Sequence, residues 1–509
     1  MLYPSVLTYQ GRQTRLPTKV SLTVPPSKSE LIRRIFIQAI QGKAGQSILL
    51  DSTWPQDVKD AWSLVQSYES KRQTGQHAAE DFVWEAGEAG TVMRFGLAFL
   101  VAQGCEGILK GSGRAHKRPI GDLVGALLTC GAKIEYLEKD GFPPLRIRSS
   151  LLSKKDLVLD ADMSSQFISA MVLVAPLLHD ESTSKEPAPW VISWPSHQVS
   201  SRPYLELTIK EMISAGYDME WNGDSIRYLP AGHFRSRVVS SQGESIPSVG
   251  AITRRDFGAS VALNQVEGDW SAVSFWIWRQ SVIPLCHRLK ICFLNSESVQ
   301  ADRIIMDLLP LLAPQTTCCI DPAECSLIWE THGLNKIIRT TEAIERLGAG
   351  HSIASKEQGI WRIRATDFPD MVPSLVMWAV LSGNPLDILG IGHLRFKESD
   401  RIRALSFNLN LLGILHENLD RDGLAIRPLC SWKAHSRQFV AGQTSLSDSE
   451  YRPIPMLRCF GDHRMAMAFS MLVLPDLSIP LDDPEVVRKS YPGFWKDWAK
   501  FGYALQSLN

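Results

Sequence analysis

One arrangement recurs along this chain: a short turn of small or polar residues runs directly into a strongly apolar segment of helix length. It occurs at PPSKSELIRRIFIQAI (25–40), GEAGTVMRFGLAFLVA (87–102) and ADMSSQFISAMVLVAPLL (161–178). It returns at VEGDWSAVSFWIW (266–278), TDFPDMVPSLVMWAVLS (366–382) and FGDHRMAMAFSMLVL (460–474). Apolar positions around 31, 35 and 39, or 167, 171 and 174, keep a helical period with one face buried. Several runs are apolar nearly all round, as core helices are. Between them KVSLTV, LRIRS, LVLDA and WRIRA alternate or are β-branched and predict strands. Six variants predict an α/β chain built on a repeated βα unit, spaced too irregularly for a solenoid. The polar stretches 67–81, 179–189, 231–260 and 431–453 are read as surface loops.

Size and charge narrow the picture. A chain of 509 residues exceeds one ordinary core, so two or three domains are expected. Lys+Arg and Asp+Glu both number 54, which argues against a general polyanion binder such as a nucleic-acid protein. Any anion site must be a local gathering of cations. The nine cysteines are scattered, without a C-x-x-C pair, a pattern of reduced thiols. The N-terminus does not resemble a signal peptide, and no apolar run approaches the roughly 18 residues of a spanning helix. The reading is a soluble cytoplasmic protein with no membrane partner.

The cations gather at the predicted helix starts. In GHLRFKESDRIRALS (392–406), Lys397 and Arg401 are four apart and are expected on one face of a helix start, repelling by roughly 0.2–0.5 kcal/mol. Lys28 and Arg33 flank the first apolar run, Arg94 the second and Arg464 the last. Arg118 lies in KRPIGDLVGALLTCGA, with Pro119 expected in a first helical turn. Lys489 lies in VVRKSYPGFW. Each alone reads most simply as a surface cation. Together they oppose the helix macrodipole, at positions where free N–H groups already attract anions. The joint pattern predicts a ligand set with several negative charges, such as phosphates and carboxylates.

From about residue 24 to 495 the motifs PSKSELIR, GEAGTVMR, RPIGDLV, SSQF, SRPY, VEGD, PD, KESDR, DHRMAM and KSYP follow in order. As an ordered set they resemble the 5-enolpyruvylshikimate-3-phosphate (EPSP) synthase family. The resemblance implies a two-domain α/β enolpyruvyl transferase fold. Each domain would hold three βαβαββ units, with helix N-termini facing an interdomain cleft. The expected division is 22–263 against 1–21 plus 264–509. The implied reaction transfers the enolpyruvyl group of phosphoenolpyruvate (PEP) to the 5-hydroxyl of shikimate 3-phosphate, in a monomer that needs no metal or organic cofactor.

By resemblance, Lys28, Ser29, Arg33, Ser164, Ser165, Gln166, Ser201, Tyr204, Asp370, His393 and Lys397 hold shikimate 3-phosphate. Lys28, Gly90, Arg118, Gln166, Arg401, Arg464 and Lys489 line the PEP site, with Arg94 propping its loop. Asp370 matches the base that accepts the hydroxyl proton, Glu398 the acid that protonates the PEP methylene, and Lys28 joins them in catalysis. On this view substrate anions lie between Lys397 and Arg401.

The chain departs from the family pattern at Glu30, Leu31 and Ile32, at Glu88, at His393 and at Phe95, positions that the resemblance assigns to the shikimate side and the PEP loop. Two rivals remain. The sister enzyme acting on UDP-N-acetylglucosamine typically carries a Cys ahead of its R-P segment, and KGSGRAHKRP has none. A non-catalytic anion-binding protein on the same scaffold would not need the carboxylates Asp370 and Glu398 in an anion pocket.

Overall fold

All six apolar runs form helices: Lys28–Ile40, Gly90–Ala102, Ser165–Val174, Trp270–Val282, Val372–Ser382 and His463–Ser470. The structure is a computed structural model that describes residues 4–11, 16–43, 53–74, 82–153, 156–159, 165–178, 189–194, 201–229, 266–314, 316–321, 324–330, 353–440 and 452–508. No helix among them is long and apolar enough to cross a membrane.

The strands between these helices repeat one topology. Val83–Glu85 pairs in parallel with Gly107–Lys110, which pairs antiparallel with Leu145–Arg148, and that strand with Lys133–Tyr136. The chain order is strand, helix, strand, helix, hairpin, and the spatial order is first, second, fourth, third. A parallel pair requires a crossover and an antiparallel pair only a turn, so the apolar helix Gly90–Ala102 is the crossover between the first two strands. Leu157–Val158, Trp190–Ser193, Ser225–Leu229 and Asp218–Trp221 repeat that order. So do Ile360–Arg364, Leu386–Leu389, Gly423–Arg427 and Leu415–Leu419, extended by Ala354–Glu357 at the edge.

Two further repeats borrow a strand from the start of the chain. Lys19–Thr23 lies parallel to Arg288–Cys292, ahead of Ser326–Glu330 and Thr317–Asp321. Ser5–Tyr9 takes the fourth-strand place between Ile479–Leu481 and Tyr503–Ser507, while Leu457 bridges Leu481 in parallel. For Lys28–Ile40 and Gln56–Thr74 no sheet of their own is found among the described residues.

The chain forms two compact units, one of Met1–Pro26, Thr53–Pro55 and Glu267–Asn509, the other of Ser27–Ser52 and Gln56–Val266. The first crossing falls after Pro26, later than the expected 21/22, because Lys19–Thr23 pairs whole with Arg288–Cys292. The expected boundary at 263 lies outside the described residues.

Each unit has its own core. In the first, helices Trp270–Val282 and Val372–Ser382 approach closely enough for Ser274 Oγ and Ser374 Oγ to hydrogen-bond at 2.9 Å. Trp278 and Trp378 meet there with ring centroids 5.8 Å apart, and burying one such side chain contributes about 1.5–3 kcal/mol. In the second, Phe36 meets Phe95 and Phe99 edge-on, and Tyr68 meets Phe99.

Two loop expectations change. Residues 67–74 continue the helix Gln56–Thr74, whose Val65, Tyr68 and Glu69 are buried. The 431–453 stretch begins with the short helix Trp432–His435, anchored because buried Trp432 donates Nε1–H to the Leu472 carbonyl at 2.6 Å. The 231–260 stretch and nearly all of 179–189 lie outside the described residues.

Candidate active site

In the first unit three carboxylates converge on one guanidinium. Arg401, 1% exposed, donates Nε to Asp462 Oδ2 at 2.9 Å, Nη1 to Asp370 Oδ1 at 2.7 Å and Nη2 to Glu398 Oε2 at 2.8 Å. Burial works against its charge, but Asp462, Glu398 and Asp370 outweigh it and hold its pKa well above the ordinary arginine range. Arg401 is the first residue of helix Arg401–Leu411, where Asp400 caps Arg403 N at 3.0 Å. Asp462 caps helix His463–Ser470 in the same way, accepting from Arg464 N at 2.9 Å, while its other oxygen also accepts from Ser399 Oγ at 2.9 Å.

Lys397 does not share a helical face with Arg401. It ends the 3₁₀ turn Gly392–Phe396 in extended backbone, and the helix begins only at Arg401. Asp400 accounts for the break, since its side-chain cap commits Arg403 N and starts the helix there. The anion expected between the two cations is in this structure the protein's own Asp370, whose Oδ1 lies 2.7 Å from Arg401 Nη1 and 3.8 Å from Lys397 Nζ.

Arg464 reaches the other oxygen of Asp370 at 3.4 Å. Burial opposes its charge too, yet Asp370, Asp269 and Asp302 raise its pKa. Lys489 donates Nζ to the Gly461 carbonyl at 3.0 Å, in the turn where Phe460 and Gly461 have φ of 55° and 66°. His393 is held neutral, its pKa lowered to about 3 by burial and then by Lys397 and Arg401. Its Nε2 is buried with no partner among the described residues, an arrangement suited to a ligand oxygen.

The second unit gathers the remaining residues. Gly90 opens helix Gly90–Ala102, and a Cβ there would lie 2.4 Å from Arg118 Cζ and 2.7 Å from Arg94 Nη1. Only a residue without a side chain admits both guanidinium groups so close to the helix start. Arg94 donates Nη1 to Gln166 Oε1 at 2.6 Å and Nη2 to the Pro119 carbonyl at 3.0 Å, and sits over the Phe167 ring. It thus props other segments rather than its own turn. Pro119 is not in a first helical turn: that helix is Gly121–Thr129 after Ile120, which frees the Pro119 carbonyl for Arg94. Lys28 pairs with Asp57 at 2.8 Å.

Arg33, expected to grip phosphate, is buried, and each of its three nitrogens meets a protein acceptor. It donates to Thr208 Oγ1 at 2.8 Å, the Ser29 carbonyl at 2.7 Å and the Tyr204 carbonyl at 2.8 Å, and stacks on Phe95. Burial lowers its pKa to about 10. Arg33 therefore ties helix Lys28–Ile40 to helix Arg202–Ser214, bringing Ser29 beside Tyr204. Arg33→Met is expected to lower unfolding free energy by about 1.5–3 kcal/mol, since one charged donor set is lost; urea melts check it. Ser201, with φ of 60°, sits just before that second helix, and Ser165 opens helix Ser165–Val174. Ser164 lies outside the described residues.

Several departures from the family pattern are packing residues. Leu31 and Ile32 are core, and Glu30 pairs with Arg34, which also binds Glu211 at 2.8 Å. Phe95 faces Arg33 and Phe36. The Glu88 carboxylate lies against Gly113, where a Cβ would be 3.0 Å from it. Sequence reasoning passed over Asp462, Asp57 and Ser399. The first was legible as a cap, because an Asp immediately before an apolar helix is a standard start signal. The other two owe their place to tertiary pairing alone.

The model of the EPSP synthase (3-phosphoshikimate 1-carboxyvinyltransferase) family matches residues 18–237 and 265–498. The chain is 28% identical over 490 residues to a 3-phosphoshikimate 1-carboxyvinyltransferase of Bacteroides fragilis, covering 96% of each. It is 28% identical over 510 residues to one of Methanosphaerula palustris, covering 97% of this chain and 99% of the relative. The solved EPSP synthase of Acinetobacter baumannii shares the fold with a TM-score of 0.60, at 17% identity over 100% of both chains.

Proposed function

Because this chain belongs to the EPSP synthase family, we propose that it transfers the enolpyruvyl group of PEP to the 5-hydroxyl of shikimate 3-phosphate and releases phosphate. The observation that carries the reading is the pair Asp370 and Glu398, both fixed on the buried Arg401 among Lys397 and Arg464. Addition needs a base at the attacking hydroxyl and an acid at the methylene carbon. Asp370 takes the hydroxyl proton as the oxygen bonds to C2 of PEP, and Glu398 delivers a proton to C3. Elimination then expels phosphate from the tetrahedral intermediate while a proton leaves the new methyl group. Each positioned acid or base is worth ~10²–10⁴-fold.

Arg118, Arg401, Arg464 and Lys489 hold the phosphate and carboxylate of PEP. Lys28, Ser29, Ser164, Ser165, Ser201, Tyr204, His393 and Lys397 hold shikimate 3-phosphate, and Gln166, fixed by Arg94, lies alongside. In this reading Arg33 acts through Ser29 and Tyr204, whose positions it sets. The chain is read as a cytoplasmic monomer; nine scattered cysteines without a C-x-x-C pair support the compartment, and sedimentation tests the state.

The deciding experiment measures phosphate release by the purified protein with PEP, with and without shikimate 3-phosphate. Release only with both supports the transfer. Binding of either ligand without release favours the non-catalytic reading instead. Gly90→Ala is expected to push Arg118 aside and raise KM for PEP about tenfold, the ~1.4 kcal/mol of one weakened charged contact. Steady-state kinetics at saturating shikimate 3-phosphate check it, and an unchanged KM removes Gly90 from the PEP pocket.

A further inference from the structure

Asp302 lies in the 3₁₀ turn Ala301–Ile304 of the first unit and is 2% exposed. Its Oδ2 accepts the Ser271 hydroxyl, while its Oδ1 is buried with no partner among the described residues. Arg464 is similarly incomplete: Nη2 meets Asp370, and Nε and Nη1 are buried with no partner among the described residues. Asp302 is faced by Asp370 from the turn before helix Val372–Ser382 and by Arg464 from helix His463–Ser470. It is also faced by Asp269 and Ser271 at the start of helix Trp270–Val282. On its own segment Arg303 turns away, to the Ser296 carbonyl and Asp307.

We propose that Asp302 is a positioning residue that takes up a proton when an anionic substrate docks at Arg464, offsetting one unit of the negative charge that binding brings to the cluster. The inference rests on the assignment of Arg464 to the PEP site. An arriving phosphate or carboxylate adds negative charge beside Asp370, Asp269 and Asp302. A buried carboxylate with an unmet oxygen is costly while charged, so added negative charge favours its neutral form. The proton comes from solvent and adds to the Asp302 carboxylate; no other bond changes. A neutral Asp302 then leaves Arg464 to the substrate instead of sharing it. Burial, and next Asp370, already push the Asp302 carboxyl up to about 7 against the opposing pull of Arg464, so the exchange falls near neutral pH.

The test is the pH dependence of kcat/KM for PEP at saturating shikimate 3-phosphate, which reports groups of the protein before PEP binds. Because binding favours the protonated carboxyl, wild-type kcat/KM should be highest below pH about 7. Above that it should fall by up to about tenfold per pH unit. Asp302→Asn holds the neutral form permanently, so that fall should vanish while kcat at low pH stays near wild type. The ionisation of PEP itself is common to both proteins and cancels in the comparison. Ser271→Ala removes a hydrogen bond that favours the charged form and should move the break to higher pH, which keeps the test decisive if Asp302→Asn fails to fold. A merely structural Asp302 would change stability or kcat without moving the break. A wild-type protein that releases no phosphate overturns the reaction and this role with it. Phosphate release with a break that neither variant moves overturns the role of Asp302 alone.

Discussion

Asp370→Asn is expected to lower kcat by ~10²–10⁴-fold, the worth of one positioned acid or base, while leaving shikimate 3-phosphate binding largely intact. Asparagine keeps the shape of aspartate and one carbonyl oxygen, so the Arg401 Nη1 contact, 2.7 Å in the wild type, has an acceptor to retain. What it lacks is the ability to take a proton from a hydroxyl. It also removes the negative charge that Arg401, Arg464 and Lys397 share at 2.7, 3.4 and 3.8 Å. Those cations then face the substrate with less internal competition, so KM values should hold or fall. Glu398→Gln should behave alike in kcat, since it meets Arg401 on the neighbouring nitrogen. Single-turnover and steady-state assays separate the two terms, and wild-type turnover in either variant removes that residue from its role.

Arg401→Met should be the most damaging single change to the fold. It takes the guanidinium from Asp462, Asp370 and Glu398 at once; Asp370 keeps Arg464 and Lys397, whereas Asp462 is completely shielded from water. Removing one partner of a buried ion pair costs about 3–5 kcal/mol, because the remaining charge keeps its desolvation penalty. The carboxylates that lose Arg401 would be relieved by protonation, so the variant should recover stability relative to the wild type as pH falls. Adding Asp462→Asn should recover part of the loss without restoring turnover, since residues in one network are not additive. Thermal melts across pH check both statements. If the double variant is no more stable than the single one, the penalty does not lie at Asp462.

The helices and strands were legible because each depends on local chemistry. The six apolar runs carry a helical period together with small or capping residues at their starts, and all six form helices. Strands such as Leu145–Arg148 alternate inward and outward in a way that needs no knowledge of the partner. The motifs also pointed to the family. What the chain order could not convey is closure at a distance: Ser5–Tyr9 completes a sheet with Tyr503–Ser507, and Lys19–Thr23 begins one with Arg288–Cys292.

The same division runs through the candidate site. The sequence alone indicated that Lys28, Arg401 and Arg464 stand at helix starts, as the structure has them, and that Asp370 and Glu398 accompany them. It could not determine their partners. Tertiary structure assigned Asp370 as the anion between Lys397 and Arg401, enclosed Arg401 with Asp462, and spent Arg33 on Thr208, Ser29 and Tyr204. The physical reason is that helix propensity and hydrophobic period are set within a few residues, whereas an ion pair depends on which side chains the packed backbone brings within about 3 Å, at separations in sequence that no local pattern encodes.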